Sequence, residues 1–301
     1  MHLCQRTLTK TVQCQGIGLH SGKTVHLTIN PAPTNHGIRF VRVDLPGKPG
    51  VTAQFNRVVD TSLATVIGSD GCIVSTIEHL MATFAGLSID NALVELDAYE
   101  VPVMDGSAGP FTELITNSGI ENQGVPRHFF TLKEPIELTN GDKSVVALPS
   151  DRFKITCTID FKHPLIGKQT LSLEITDDAF SSHISHARTF GFLHEVEYMK
   201  RHGLALGGSL DNAVVIDEED IVNPDGLRFP DEFVRHKVLD CLGDFSLLGM
   251  PILGHLNVVK SGHAFNHAFL EKFFSQKESW ETRWVPGSSP LPVSQPKSVA
   301  I

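Results

Sequence analysis

Hydrophobic and polar residues alternate along several short runs of this chain, and they recur every three to four positions along others. Alternation is typical of β-strands with one buried face. It predicts strands in TVHLTI (24–29), GIRFVRV (37–43), ALVELDA (92–98), SVVALP (144–149), FKITCTIDF (153–161), NAVVI (212–216) and ILGHLNVV (252–259). Helical spacing predicts helices over residues 77–87, 110–119, 194–203, 232–249 and 267–276. Because the strands come in groups and do not alternate strictly with helices, the pattern favours an α+β fold.

Residues 121–128, ENQGVPRH, are polar, contain Gly and Pro, and lie between a predicted helix and a new group of strands. This composition is typical of a connection. We therefore expect an N-terminal α+β domain over residues 1–125 and a C-terminal α+β domain over residues 126–284. Residues 285–301 are rich in Pro and Ser and have little apolar periodicity, so this tail is expected to be disordered.

The composition argues against several classes of protein. The 301 residues include 25 Lys and Arg against 34 Asp and Glu, a formal net charge of −9, whereas nucleic-acid-binding proteins are usually basic. The five cysteines are odd in number and lack C-x-x-C spacing, which disfavours a disulfide framework and fits a reducing cytoplasm. No signal-peptide pattern is present, and no apolar run approaches the roughly 18 residues of a spanning helix. A cytoplasmic protein is expected, with peripheral contact to a membrane left open.

The stretch GIGLHSGKT (16–24) resembles a phosphate-binding loop but has the wrong spacing. The Walker pattern needs four residues between its first Gly and the Gly-Lys pair, and here Gly16 leaves five and Gly18 leaves three. The motif also needs a helix after the loop, and a strand is predicted there. A turn between two strands is the better interpretation.

The predicted helix over residues 232–249 carries a polar row on an otherwise apolar helix. At about 100° per residue, His236, Asp240 and Asp244 fall at roughly 0°, 40° and 80°, which is one side of the helix. Along the axis, Asp240 is roughly 6 Å from His236 and Asp244 is roughly 12 Å from it. His236 and Asp240 can therefore bind one metal ion, whereas Asp244 is expected to contact another catalytic group. The alternative is a solvated face with ordinary i,i+4 contacts.

A second predicted helix, over residues 77–87, begins with Glu78 and His79, which point about 100° apart. His79 can supply a third ligand, and Glu78 can stand beside the metal as a base. Two histidines and one carboxylate leave an open position on a tetrahedral zinc, which suits hydrolysis, and these nitrogen and oxygen ligands also suit Fe²⁺. An alternative is equally well supported: Ser75-x-x-Glu78 before an apolar run matches a capping box, in which Glu78 closes the helix start.

His263 lies in KSGHAFN (260–266), a segment of small residues after a predicted strand. Loops in such positions often carry active-site residues. Most lone histidines are instead ordinary half-buried side chains, and spacing alone does not separate His263 from His20, His163 or His267 in this respect.

Several longer blocks resemble a known family. They are TIEHLMATFAGLSIDNALVEL (76–96), VPVMDGSAGPF (101–111), SHARTFGF (185–192), LALGGS (204–209), DGLRFPDEFVRHKVLDCLGD (225–244) and KSGHAFN (260–266). In this order they are similar to the UDP-3-O-acyl-N-acetylglucosamine deacetylases, and the resemblance runs from about residue 3 to about residue 284. It implies two similar domains, each a β-sheet layered with α-helices, with the active site at the domain interface. It also implies a zinc amidase that hydrolyses the N-acetyl group of UDP-3-O-acyl-N-acetylglucosamine and releases acetate, the committed step of lipid A biosynthesis in Gram-negative bacteria.

The resemblance implies a role for individual residues. The ligands of one Zn²⁺ would be His79, His236 and Asp240. Glu78 would be the general base and His263 the general acid, with Asp244 as the partner of His263. Thr189 would donate a hydrogen bond to the tetrahedral oxyanion. The substrate contacts would be Lys237 for a polar or phosphate group, His20 and Phe161 near the sugar nucleotide, and Phe190, Val196, Met199, Leu204 and Ala205 along a passage for the acyl chain.

This sequence departs from the family pattern in three places. Residues 61–72 match it less closely, so the loop near the metal is expected to differ in shape. His186 replaces an Arg that is usual before ARTFGF, which affects the expected phosphate contacts, and Phe265 replaces a Leu beside His263.

Two other functions are compatible with these residues. One is a metal-free dehydratase or lyase that acts on acyl substrates with His and Glu. The other is a non-catalytic binding module that a metal stabilises. For the deacetylase, a monomer with no nucleic-acid partner is expected.

Overall fold

The computed structural model describes residues 1–285 of the chain. These residues contain six α-helices and 19 β-strands. The strands gather in several sheets and the helices pack between and beside them, which confirms the predicted α+β class. Of the predicted tail, Val285 is described, and the prediction for residues 286–301 lies outside the described residues.

The elements of the first part of the chain run from residue 4 to residue 126. They are β1 (Cys4–Leu8), β2 (Val12–Ile17), β3 (Thr24–Pro31), β4 (Ile38–Arg42), β5 (Gly50–Thr52), β6 (Val58–Asp60), β7 (Val66–Ser69), β8 (Cys72–Val74), α1 (Glu78–Gly86), β9 (Ala92–Leu96), α2 (Gly109–Ser118) and β10 (Ile120–Pro126), with a 3₁₀ turn over Phe55–Arg57.

The larger sheet of this part has five strands in the order β2-β3-β9-β4-β5, in which β4 and β9 are parallel and the other neighbours antiparallel. Alternation in β3 buries Val25, Leu27 and Ile29 on one face, which is the pattern that made this strand predictable. The short strands β6, β7 and β8 form a separate antiparallel sheet that leads into α1.

The elements of the second part run from residue 128 to residue 284. They are β11 (His128–Leu132), β12 (Ile136–Asn140), β13 (Lys143–Pro149), β14 (Phe153–Asp160), β15 (Lys168–Glu174), α3 (Asp177–His183), β16 (Phe190–Phe192), α4 (Leu193–Arg201), β17 (Val214–Ile216), α5 (Glu232–Ser246), β18 (Ile252–Val259), α6 (His263–Ser275) and β19 (Trp280–Trp284), with a 3₁₀ turn over Lys277–Ser279.

A seven-stranded sheet is built from these elements around β18. Antiparallel β13 and parallel β14 flank β18, β15 lies outside β14, and β11 joins the start of β18 to β19. The strand β16 pairs with β17 in a small parallel sheet that leads directly into α4. A continuous cluster of buried apolar side chains includes members of both large sheets, such as Phe40 in β4 and Ile155 in β14.

The helix α5 lies between α1 and the seven-stranded sheet. It packs against α1 on one side and against β14 and β15 on another. Its apolar residues, such as Phe233, Val238 and Leu242, are at most 1% exposed. Because α5 is covered on more than one side, its polar row is enclosed by protein and does not form a solvated face.

Most predicted elements are present with shifted ends. The predicted helix over residues 267–276 begins earlier, at His263, so the KSGHAFN segment ends in the first turn of α6 and is not a loop throughout. Helix α3, which has seven residues, was not predicted, although Thr176 caps it by accepting a hydrogen bond from the backbone N–H of Ala179. The predicted helix over residues 232–249 ends three residues earlier, at Ser246.

The predicted connection over residues 121–128 is not a loop. Residues Ile120–Pro126 form β10, which pairs antiparallel with β1. The composition is polar because these side chains are half-buried or exposed, while the strand is held by its backbone hydrogen bonds to β1. The division into domains over residues 1–125 and 126–284 stays a prediction.

No helix of the described part, residues 1–285, has both the length and the apolar character needed to cross a membrane.

Candidate metal centre and active site

Three ionisable residues project from one side of α5, as the helical spacing predicts. His236, Asp240 and Asp244 are each at most 4% exposed, and α1 packs against this helix. A row of this kind is costly to bury unless its charges are paired or bind an ion. The alternative interpretation, a solvated helix face, is therefore wrong.

His79, the second residue of α1, projects into the same space. One ligand atom from each of His79, His236 and Asp240 lies within 4.8 Å of the others. Asp240 Oδ1 is 3.3 Å from His236 Nε2 and 3.8 Å from His79 Nε2. Two donors bound tetrahedrally to zinc are roughly 3.3 Å apart. The three side chains are therefore close to the spacing that one ion requires.

Further contacts determine which atoms face this cluster. Nδ1 of His236 donates to the carbonyl oxygen of Ala187 at 3.0 Å, so its Nε2 carries the free lone pair. Lys237 Nζ donates to Asp240 Oδ2 at 2.8 Å, so Oδ1 is the oxygen that faces the histidines. Contacts of this kind usually orient metal ligands in proteins.

The protonation states also suit a cation. Burial lowers the pKa of His79 to about 3 and lowers the pKa of His236, so both imidazoles are neutral at pH 7. Burial opposes the charge on Asp240, but His236 and Lys237 beside it hold the pKa of the carboxyl group well below its usual range. Two neutral imidazoles and one carboxylate are a donor set that Zn²⁺ and Fe²⁺ both accept. The residues present fit one divalent ion.

Glu78 is buried beside this cluster at the first position of α1. Its Oε2 accepts a hydrogen bond from the backbone N–H of Thr65 at 3.1 Å, and its Oε1 lies 3.8 Å from His263 Nε2. Burial raises the pKa of Glu78 to about 7. A carboxylate with a pKa near the working pH is suited to accept a proton and to release it again.

Glu78 does not close the start of its helix. The residue before α1 is Ile77, and Ser75 lies two positions earlier than the cap position requires. The backbone N–H of Ser75 donates to the carbonyl oxygen of Tyr99 at 2.7 Å, so it is not available to the Glu78 carboxylate. The capping-box interpretation of Ser75-x-x-Glu78 is therefore wrong.

His263 and Asp244 form a pair next to Glu78. His263 Nδ1 lies 2.8 Å from Asp244 Oδ2, so Nε2 is the nitrogen that points toward Glu78. Burial disfavours the imidazolium, but the Asp244 carboxylate outweighs it and raises the pKa of His263 to about 10. His263 is therefore protonated at pH 7 and holds a proton that it can donate. Asp244, two turns from His236, contacts this histidine instead of joining the metal ligands.

Comparisons with known proteins identify the family of this chain. The family model for UDP-3-O-acyl N-acetylglycosamine deacetylase matches residues 5–275. A UDP-3-O-acyl-N-acetylglucosamine deacetylase of Myxococcus xanthus is 53% identical over 277 residues, covering 92% of this chain and 88% of the relative. Relatives of the same name from Syntrophotalea carbinolica and Pseudomonas entomophila are 50% and 44% identical, and they cover 92% and 98% of this chain. The chain belongs to this deacetylase family. It is accordingly an enzyme of the class that hydrolyses amides.

In this deacetylase, Phe190 lies close both to the candidate metal ligand His236 and to two residues expected to contact substrate, Phe161 and Lys237. Its ring centroid is 6.2 Å from that of His236, 5.7 Å from that of Phe161, and 5.6 Å from Lys237 Nζ. Thr189 precedes Phe190, and its backbone N–H donates to the carbonyl oxygen of Gly106 at 2.7 Å. This hydrogen bond fixes the backbone of Thr189, which lies two residues after Ala187, the residue whose carbonyl oxygen accepts from His236.

Apart from Phe190, which is in β16, the residues expected along an acyl passage lie on α4 and in the loop after it. Val196 packs over Gly191, next to Phe190, with its Cγ2 3.4 Å from the position that a side chain on Gly191 would take. The Leu204 N–H donates to the carbonyl oxygen of Met199 at 2.9 Å, which holds the loop against the helix. Leu204 is 38% exposed, whereas Ala205 is buried.

His20 lies against this loop from the first part of the chain. Its carbonyl oxygen accepts from the Leu206 N–H at 3.3 Å, and its own N–H donates to Glu100 Oε1 at 2.8 Å. Burial lowers the pKa of His20. The turn between β2 and β3 therefore meets the segment that follows α4.

Sequence reasoning missed two side chains of the candidate site. Asn266 Nδ2 donates to Asp244 Oδ2 at 2.8 Å, and its spacing of three residues from His263 on α6 was a readable signal. Thr65 contacts both Asp244 and Glu78, and nothing in the local pattern of residues 61–72 indicated it. Only these contacts with residues distant in sequence identify Thr65 as part of the site.

Proposed function

We propose that this protein hydrolyses the N-acetyl group of UDP-3-O-acyl-N-acetylglucosamine to give UDP-3-O-acyl-glucosamine and acetate, with one Zn²⁺ per chain. The observation that carries the proposal is the placement of a proton acceptor and a proton donor beside the ligand triad. Glu78 and His263 are 3.8 Å apart, next to His79, His236 and Asp240. The names of the relatives supply the substrate.

His79, His236 and Asp240 would hold the ion. When bound, Zn²⁺ supplies a Lewis acid that polarises an amide carbonyl and makes water more acidic. Glu78 takes the proton of the attacking water as the carbon–oxygen bond forms. Its burial suits this role because the neutral form of the carboxyl group is stabilised once the proton arrives.

The amine leaves from the tetrahedral carbon only after it is protonated. His263 Nε2 faces the Glu78 side of the site and donates this proton, while Asp244 holds Nδ1 and stabilises the imidazolium beforehand. The Thr189 hydroxyl donates to the oxyanion, where a fixed donor contributes most in the transition state. The carbon–nitrogen bond breaks, and acetate and the free glucosamine amine are the products.

The remaining expected residues define the substrate surface. Lys237 donates a hydrogen bond to Asp240, and its Nζ lies over the Phe190 ring. Its positive charge therefore lies at the edge of the site, where it can bind an anionic or polar group of the substrate. The acyl chain follows the apolar side chains Phe190, Val196, Met199, Leu204 and Ala205. Phe161 and His20 contact the sugar nucleotide. The reaction is the committed step of lipid A biosynthesis and takes place in the cytoplasm of a Gram-negative bacterium. The enzyme acts as a monomer.

The test pairs metal content with product release. Purified protein is assayed on UDP-3-O-acyl-N-acetylglucosamine, and acetate and free amine are quantified together with Zn²⁺ and Fe²⁺ per chain. One acetate per amine is expected, with loss of turnover on chelation and recovery on addition of Zn²⁺. Full activity in a metal-free preparation would contradict the metal-dependent mechanism, and absence of acetate release together with absence of bound metal would favour the metal-free lyase. Binding of the substrate without acetate release in the metal-loaded protein would favour the binding module.

A further inference from the structure

Thr65 is a buried residue in the loop between β6 and β7, and none of the catalytic roles above includes it. It is 2% exposed. Its carbonyl oxygen accepts from the N–H of Ile77, the residue before α1, at 3.3 Å. The loop is therefore attached to the start of the helix that carries Glu78 and His79.

Thr65 contacts both halves of the proton-transfer machinery. Its backbone N–H donates to Glu78 Oε2 at 3.1 Å, and its hydroxyl donates to Asp244 Oδ1 at 2.6 Å. The hydroxyl oxygen is also 3.3 Å from His263 Nδ1. The shorter contact identifies the carboxylate as the acceptor of the hydroxyl proton.

The two oxygens of Asp244 have different sets of donors. Oδ2 accepts from Asn266 at 2.8 Å and lies 2.8 Å from His263 Nδ1. Within residues 1–285, Thr65 is the one side chain that donates to Oδ1. Without the hydroxyl, a buried carboxylate oxygen would have no donor, and the carboxylate plane would lose the contact that fixes its rotation.

We propose that Thr65 is a positioning residue of the deacetylase reaction: through its backbone it orients the base Glu78, and through its hydroxyl it orients the Asp244–His263 pair. The inference rests on the proposed function. Thr65 thereby connects the base Glu78 on α1 with the acid His263 on α6, and these two helices are distant in the sequence. The hydrogen bonds of Thr65 do not involve His79, His236 or Asp240, so it acts on turnover and leaves metal binding unchanged.

The variants Thr65→Val and Thr65→Ser separate the hydroxyl from the rest of the residue. Valine keeps the shape and the backbone N–H bond to Glu78 but has no hydroxyl, and serine keeps the hydroxyl. Thr112→Val is the matched control, because Thr112 is also buried but its hydroxyl donates within α2, to the carbonyl oxygen of Ala108. Each metal-loaded variant is assayed for kcat, KM, Zn²⁺ content and melting temperature.

We expect Thr65→Val to lose about 10- to 100-fold in kcat, because misplaced proton-transfer groups react more slowly, with KM and Zn²⁺ content close to wild type. Thr65→Ser should recover most of the lost turnover, and Thr112→Val should retain the wild-type kcat. Should Thr65→Val fail to fold, the comparison of Thr65→Ala with Thr65→Ser tests the same hydroxyl. Wild-type kcat in Thr65→Val, or equal losses in the Ser and Val variants, would overturn the inference. Absence of deacetylation by the wild-type enzyme would instead overturn the proposed function.

Discussion

Gly243 of α5 faces the backbone of Glu78 so closely that no side chain fits between them. A methyl group on Gly243 would lie 2.1 Å from the Glu78 carbonyl oxygen. This is the point where α1 and α5 meet, and it lies between Asp240 and Asp244 along the sequence. The close approach of the two helices brings His79 within reach of His236 and Asp240.

Gly243→Ala should therefore disturb both stability and metal binding. The added methyl must push the helices apart, and overpacking of this kind costs about 1–3 kcal/mol. We expect a lower melting temperature and weaker Zn²⁺ binding, measured by thermal unfolding and by competition with a chelator. Gly262→Ala is the stability control, because its added methyl meets no atom within 4 Å and its backbone is extended. A Gly243→Ala protein as stable as wild type, with its zinc affinity unchanged, would show that the helices separate at little cost.

Glu78→Gln should abolish most turnover and leave the metal in place. The amide keeps the size of the side chain but cannot accept the water proton, and general-base catalysis contributes about 10²–10⁴-fold. The measurement is kcat together with Zn²⁺ content. Glu113→Gln, an exposed change on α2, is the control and should keep wild-type activity. Unchanged turnover in Glu78→Gln would rule out the base role.

His263→Ala should strongly reduce kcat, by about 10²–10⁴-fold, because the leaving amine loses its proton donor. Zn²⁺ content should stay at the wild-type level, since His263 is paired with Asp244 and is not one of the three ligands. His267→Ala, four residues further along α6, is the matched histidine control. If His263→Ala also loses its zinc, the assignment of His263 as an acid and not a ligand is wrong.

Asp240→Ala should impair zinc binding itself. It removes the one anionic ligand of the triad and also leaves Lys237 without its carboxylate partner. Metal content after dialysis should fall well below one ion per chain, while Asp231→Ala, at the start of the same helix, should retain the ion. Asp231 pairs with Arg235 and is not one of the three candidate ligands. Full occupancy in Asp240→Ala would remove this residue from the ligand set.

The stability of the metal-free protein should fall as the pH rises from about 6.5 to about 10, because of His263. Its pKa is raised from 6.5 to about 10 in the folded state, so in this window the folded protein binds a proton that the unfolded chain has released. The stabilisation is complete below pH 6.5 and is lost as the pH rises through the folded pKa. Melting temperatures of wild type and His263→Gln across this range test the effect. Removing the metal by chelation keeps the pH dependence of metal affinity out of the comparison. Parallel curves for the two proteins would contradict the raised pKa.

Much of the site was predictable from local spacing. The four-residue spacing of His236, Asp240 and Asp244 determined that they share a side of one helix, and the rise per residue separated the first two from the third. The structure agrees, since Asp244 pairs with His263 at 2.8 Å and stays outside the ligand triad. Helical geometry transfers from sequence because it depends on residues only a few positions apart.

Two segments of the sequence could be interpreted only with the tertiary structure. The sequence supported the capping box and the catalytic role for Glu78 equally, and the pairing of Ser75 with Tyr99 excluded the capping box. Residues 121–128 looked like a connection because they are polar, yet most of them belong to β10, which pairs with β1 in a two-stranded sheet. Both outcomes depend on partners that are distant in sequence, which local pattern does not contain.

The sequence by itself determined which side chains can bind a metal, how they are spaced on each helix, and, through family resemblance, which histidine joins them. The tertiary structure alone decided how α1 and α5 approach at Gly243, and that Thr65 connects Glu78 to Asp244. The physical reason is that a helix places its own residues by short-range hydrogen bonds, whereas the distance between two helices is set by the packing of every side chain between them.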